Sequence, residues 1–108
     1  MNSYKVDRTS WKKMDIQNQM GNIGSEVGRS IAAKRRGDQV HFEGALYRAI
    51  DLFDATVEVL IEQKSPRVKE VLRSRDQFLR LFYDDKFDDA DSIERYFMQY
   101  AMAARRGR

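Results

Sequence analysis

Few residues of this chain could perform acid–base or metal chemistry. His41 is the only histidine among 108 residues, and cysteine is absent. These counts exclude a disulfide framework, a thiolate nucleophile and a metal centre rich in cysteine or histidine. Five aspartates lie between residues 84 and 91, but they lack the turn glycine and the closing glutamate of a calcium loop. We therefore predict no metal site, no cofactor and no small-molecule substrate.

Arg36 precedes His41 with four residues between them. This Arg-x4-His spacing resembles that of the small helical ribonucleases called HEPN domains, whose arginine and histidine act on RNA. The resemblance implies a catalytic role for Arg36 and His41. Gly37 and Asp38 form a helix stop followed by a capping residue, so the pair should lie across a helix break. A ribonuclease is thus one alternative for the function.

Two clusters of basic residues could bind phosphate groups. Lys34, Arg35 and Arg36 end the first predicted helix, and Arg105 and Arg106 end the last one. Clustered cations attract nucleic acids because binding releases the counterions of the phosphates. Cations also suit helix C-termini, which explains both clusters without nucleic acid. These five residues are our candidate contacts to RNA, DNA or an acidic protein.

Charge is distributed unevenly along the chain. Residues 1–37 contain eight Lys/Arg and three Asp/Glu, a balance of +5, whereas residues 38–64 contain two and six, a balance of −4. The two segments can complement each other within one subunit or between neighbouring subunits. The carboxylates on one face of the second segment are Asp51, Asp54, Glu58 and Glu62.

Apolar residues recur at helical spacing, and we find no alternating strand pattern. Arg-Gly-Asp at residues 36–38 separates two periodic segments, Ser-Pro at 65–66 is a typical helix start, and Asp91 can cap a last helix. We predict helices over residues 10–36, 39–63, 66–84 and 91–105. Short connections favour antiparallel neighbours, so the expected fold is an all-α, up-down antiparallel four-helix bundle, a single domain over residues 1–108.

No apolar run approaches the ~20 residues needed to cross a bilayer. The polar first residues also lack the apolar core of a secretory signal. We expect a cytoplasmic protein without membrane contact.

Small and flexible apolar residues predict self-association. Gly21, Gly24 and Gly28 lie inside the first predicted helix, where each costs roughly 0.5–1 kcal/mol relative to alanine. Such a strip would allow another helix to approach closely; the alternative is a bend or break near Gly21-Asn22 that leaves two shorter helices. Met98 and Met102 project away from the apolar stripe of the last helix. Together these residues predict a homo-oligomer interface.

Arg75 falls within the apolar stripe of the third predicted helix, between Val71 and Phe78. An unpaired charge there would be costly, so Arg75 should meet a carboxylate or reach water at an edge. We predict a buried ion pair.

Residues 10–63 resemble a known group of small helical bundles. The resemblance rests on Arg29-Ser30-Ile31-Ala32, Gly37, Phe42 and the long Ala45–Leu60 helix. Similar features occur in proteins encoded in ribosomal-RNA intervening sequences and in the accessory variability proteins of diversity-generating retroelements. The resemblance implies five-fold rings or similar oligomers with a basic surface, and in the retroelement branch a reverse transcriptase and RNA as partners. It implies no catalytic residues.

These patterns favour a non-enzymatic, oligomeric scaffold or adaptor that binds nucleic acid, a protein partner or both. The alternatives are the ribonuclease and a protein-only module of a toxin–antitoxin or phage-defence pair.

Overall fold

The computed structural model describes residues 5–106, which form five helices and no strand. The all-α prediction is therefore confirmed, and the helix count differs from the predicted four. No helix in this part of the chain is both long enough and apolar enough to cross a bilayer. The helices are α1 (Arg8–Lys12), α2 (Ile16–Arg35), α3 (Gln39–Glu62), α4 (Val68–Tyr83) and α5 (Ala90–Arg106), with a 3₁₀ turn at Phe87–Asp89.

The prediction of one continuous helix over residues 10–36 is wrong, because this segment forms two helices, α1 and α2. Asp15 interrupts it: its Oδ1 accepts a hydrogen bond from the backbone N–H of Asn18 at 2.8 Å and so caps α2. Asp7 caps α1 in the same way, through the N–H of Thr9 at 3.0 Å. The break lies between these helices, and α2 runs uninterrupted through Gly21 and the two glycines that follow.

The turn between α2 and α3 forms as predicted. Gly37 has a φ of +73°, and the N–H of Asp38 bonds to the carbonyl of Ala33 at 2.9 Å, which is the bonding of a Schellman stop. Asp38 then accepts from the N–H of His41 at 3.2 Å and caps α3. Arg36 and His41 therefore lie on opposite sides of a helix break.

Two other predicted starts differ from the structure. Ser65 accepts from the N–H of Arg67 at 3.2 Å, but α4 begins two residues after Pro66, at Val68. Asp91 lies inside α5, and its carboxylate is used by a side chain of α2.

Helix α2 packs against both α3 and α5, while α3 also contacts α1 and α4. Arg35 at the end of α2 meets Asp91 at the start of α5, and Gly21 near the beginning of α2 faces Ala101 near the end of α5. These two helices are therefore antiparallel. Phe53 of α3 packs between α4 and α5 in the core, because its ring centroid is 5.9 Å from those of both Phe78 and Phe97.

The basic and acidic segments complement each other within one subunit. Arg8 of α1 donates to Asp51 of α3 at 2.9 Å, and Lys12 lies 2.7 Å from Glu62. Asp51 is consequently buried, and it also accepts from the N–H of Val6 at 2.7 Å. Helix α1 thus covers the C-terminal part of the acidic face.

Trp11 anchors α1 on the core. Its ring is buried, and its Nε1–H donates to the hydroxyl of Thr56 at 2.9 Å. Gln19 is buried beside it and donates to the carbonyls of Trp11 and Met14 at 2.9 and 3.1 Å. The amide of Gln19 thereby satisfies carbonyls that the short helix leaves without partners.

A polar network joins α4 to α5. The hydroxyls of Tyr100 and Tyr96 donate to one Glu70 oxygen at 2.7 and 3.0 Å. These hydrogen bonds, chiefly the one from Tyr100, lower the pKa of Glu70 although partial burial opposes the shift. Burial raises the pKa of Tyr96, and its bonds to Tyr100 and Glu70 add to the rise. Both rings are therefore committed to the fold.

Arg75 finds a carboxylate at an edge of the fold. Its Nε lies 3.4 Å from Oδ1 of Asp54, but both side chains are partly exposed. The predicted partner type is present, and the Arg75 Nε itself is buried, although both side chains are partly exposed. Leu72 faces solvent on one side of Arg75, whereas Val71 and Phe78 are buried, so Arg75 lies at the border of the core.

Candidate nucleic-acid interface

A depression of about 160 Å³ lies between α2 and α3, beside their connecting turn. Helical spacing places three residues of each helix along it, with an alanine in the middle of each set. Because alanine is small, the floor is low and the longer side chains stand around it as a rim. The lining residues are Arg29, Ala32 and Arg36 of α2 with His41, Ala45 and Arg48 of α3.

Glu26 orients two of the rim arginines. Its Oε2 accepts from Nη1 of Arg29 at 3.0 Å, and its Oε1 accepts from Nε of Arg48 at 3.2 Å. The carboxylate is recessed, with 13% of the Glu26 side chain exposed against 63% for Arg29. A ligand that approaches from solvent therefore meets the guanidinium groups before the carboxylate.

On the other side of the depression, Asp38 orients Arg36 and His41. Its Oδ2 accepts from Nη2 of Arg36 at 3.3 Å and lies 2.7 Å from Nδ1 of His41. The N–H of His41 is the largest influence that lowers the pKa of Asp38, followed by its ring and by Arg36, while burial opposes the shift. Asp38 therefore stays ionised, and its side chain is 29% exposed against 55% for Arg36.

The charge at this rim suits an anionic ligand. Three guanidinium groups face two carboxylates, a balance of +1 with His41 neutral. Each guanidinium has five N–H donors, and the carboxylates use only one or two of them. The hydrogen bonds to the carboxylates hold each guanidinium group in place, and with it the N–H donors that the carboxylates do not use. The N-terminus of α3, the positive end of its dipole, adjoins the same site.

The three residues of the predicted basic cluster at the end of α2 have different neighbours. Only Arg36 joins the depression; Nζ of Lys34 lies over the Phe42 ring, 5.2 Å from its centroid. Arg35 donates to Asp91 at 2.8 Å and to Glu94 at 3.3 Å. Two carboxylates thus neutralise Arg35 and link α2 to α5.

Arg105 and Arg106 lie at the C-terminal end of α5 and are exposed. Because α5 is antiparallel to α2, this end adjoins the beginning of α2. A helix of 20 residues spans about 30 Å, so the two predicted basic clusters lie at opposite ends of the molecule. They do not form one surface.

Sequence reasoning missed Arg29 and Arg48. They are 19 positions apart in the chain. Arg29 reaches Glu26 within α2, three residues away, and the packing of α2 on α3 brings Arg48 to the same carboxylate. A signal in the sequence could have identified Arg29. Ala32 and Arg36 follow it at i+3 and i+7, on the face of α2 opposite its apolar stripe.

The glycine strip faces α5 of the same chain. A Cβ on Gly24 would lie 2.9 Å from Cβ of Phe97, closer than real contacts allow. The close helix approach that the glycines predict is thus made within the subunit. Beside it, an open groove of about 230 Å³ is lined by all three glycines and by Met98. Met98 and Met102 are both exposed, as predicted from their spacing.

No protein-family model matches this chain, and neither a curated protein nor a solved structure matches it.

Proposed function

We propose that this protein is a non-enzymatic helical binding module whose depression between α2 and α3 binds the phosphate backbone of nucleic acid. The observation that carries the proposal is the paired arrangement of recessed carboxylates and outward guanidinium groups around an alanine floor. Such groups are oriented before a ligand arrives, so binding costs less side-chain entropy than it would for free arginines. We take the four long helices as an up-down bundle that holds this site rigid.

Changing Arg29, Arg36 and Arg48 together to glutamine should weaken RNA binding about ten-fold or more. It should also reduce the slope of log K against log salt concentration by about 2, because roughly 0.7 counterions are released per single-strand phosphate contact. Fluorescence anisotropy with a labelled RNA at several salt concentrations measures both quantities.

A matched control removes the same charge elsewhere. Arg73, Arg80 and Arg95 are exposed on α4 and α5. Their combined change to glutamine should leave the slope nearly unchanged. Equal losses in both triple variants would show attraction by net charge alone and would contradict the site. Absence of binding in the unmodified protein would favour the protein-only module.

One observation favours the ribonuclease as a second candidate. Asp38 bridges Arg36 and His41 and holds Nδ1 of the imidazole at 2.7 Å. A carboxylate in that position fixes the ring, as in sites where histidine acts as a general base. His41 could then accept the proton of a ribose 2′-hydroxyl beside a bound phosphate.

If that candidate is right, the purified protein cleaves RNA in the presence of a metal chelator, and His41→Ala reduces cleavage by about 10²-fold or more. Gln39→Ala, on the same turn of α3, is the control and should cleave normally. Cleavage that persists in His41→Ala comes from a contaminant and dismisses the candidate.

We further propose that copies of the chain associate through the surface that carries Met98 and Met102. Its support is the exposure of both methionines beside the open groove between α2 and α5. Light scattering should give a mass above 12.7 kDa for the unmodified chain and a lower one for Met98→Lys/Met102→Lys. The control is Leu72→Lys on α4, at an equally exposed apolar position. A monomeric unmodified chain contradicts the proposal.

A further inference from the structure

One half-exposed aromatic ring lies on α3, next to a residue that lines the depression. Tyr47 of α3 is 48% exposed, and among residues 5–106 it makes neither a side-chain hydrogen bond nor an aromatic contact. The two tyrosines of α5 and the single tryptophan differ, because Tyr96, Tyr100 and Trp11 all bond to neighbours, whereas Tyr83 at the end of α4 is exposed like Tyr47 but lies on another helix. The ring of Tyr47 is therefore free to contact a ligand.

Tyr47 is next to the rim residue Arg48 in the sequence. It precedes Arg48 in α3, and Gly44 lies one turn before both. The Arg48 guanidinium extends over this glycine, since its Nη1 is 3.3 Å from the position that a Cβ on Gly44 would occupy. Val40 continues the same face and is 81% exposed. The Arg48 guanidinium thus lies between the depression and the exposed side chains of Val40 and Tyr47.

We propose that this surface of α3 and the adjoining depression bind a single strand of nucleic acid, with a base stacked on Tyr47 and the adjacent phosphates on Arg48 and Arg36. This inference rests on the proposed function and names its ligand class. Phosphate contacts alone would accept a duplex equally well, whereas stacking on a side chain requires an unpaired base. The pairing of arginines with an unpartnered aromatic ring is the combination that single strands use.

The test measures binding of an unpaired RNA of about 20 nucleotides by anisotropy, then of the same strand annealed to its complement and of a DNA strand of the same sequence. Tyr47→Ala should weaken single-strand binding at least about five-fold, since stacking contributes roughly 1–3 kcal/mol per base. Tyr47→Phe keeps the ring and should bind normally. Leu72→Ala removes an equally exposed apolar side chain on α4 and should also bind normally.

The outcomes separate this inference from the proposed function. If Tyr47→Ala binds the single strand as the unmodified protein does, while the arginine triple variant does not, stacking is refuted and phosphate binding stands. Duplex binding as tight as single-strand binding likewise refutes the inference. If the arginine triple variant keeps its affinity, both proposals fail. The DNA strand shows whether the 2′-hydroxyl contributes. Circular dichroism of each variant confirms that the helices are intact.

Discussion

Trp11→Ala is expected to lower the free energy of unfolding by about 3–5 kcal/mol. The substitution removes a large buried ring and leaves a cavity between α1 and α3. It also removes the hydrogen bond from Nε1 to Thr56, whose hydroxyl is fully buried and would be left without that donor. Domains of this size have total stabilities of about 5–15 kcal/mol, so the variant should be close to unfolding at moderate temperature. Urea denaturation followed by circular dichroism measures the loss.

Two controls divide this loss into its parts. Trp11→Phe keeps most of the apolar ring and removes the donor, so it should cost less than the alanine variant. Lys12→Ala breaks the pair with Glu62, in which both side chains are more than half exposed, and should cost about 1 kcal/mol or less. If the two alanine variants lose equal stability, the ion pairs and not the buried ring hold α1 in place.

The sequence predicts most of the helices because their signals are local. The stop at Gly37 and the cap at Asp38 act within one turn, and the periodicity of α3 identifies its main apolar face. It does not identify the burial of Asp51 and Thr56, which depends on contacts with residues 6–11. The interruption before α2 was missed, although its cause is also local. Asp15 is a good N-cap, but the apolar spacing on both sides of it reads as one continuous helix.

The candidate site was harder to predict because it depends on tertiary packing. Arg36 was identified as part of a run of cations, which is a one-dimensional feature. The three cations differ in the neighbour that each one contacts. Arg36 contacts an aspartate across the turn, Lys34 contacts an aromatic ring, and Arg35 contacts two carboxylates of α5. Asp38 is two residues from Arg36 in the chain, but the spacing of residues within α2 contains no information on the α5 carboxylates. The same limit applies to Arg48, whose partner is on α2.

Gly24 and Gly28 should respond to alanine with opposite signs. Both lie inside α2, where alanine gains roughly 0.5–1 kcal/mol over glycine from helix propensity. At Gly28 the nearest atom to a new Cβ is a Glu94 carboxylate oxygen at 3.9 Å, an ordinary contact. Gly28→Ala should therefore stabilise the protein by about that amount.

At Gly24 the new methyl group meets Cβ of Phe97 at 2.9 Å. That atom is next to the backbone of α5 and its ring is buried, so relief requires the whole helix to move away from α2. Overpacking of this kind costs about 1–3 kcal/mol, which outweighs the gain in propensity. Thermal unfolding of the two variants should differ in direction, with Gly24→Ala below the unmodified protein and Gly28→Ala above it.

The sign at Gly24 also tests how the glycines are used. If α5 of the same chain occupies the strip, Gly24→Ala destabilises the protein at every concentration, because the clash is intramolecular. If instead the strip contacts a second copy, the effect should disappear on dilution as the assembly dissociates. Unfolding measured across a wide range of protein concentration separates the two. A stabilised Gly24→Ala variant at all concentrations would show that α2 and α5 are not held this close.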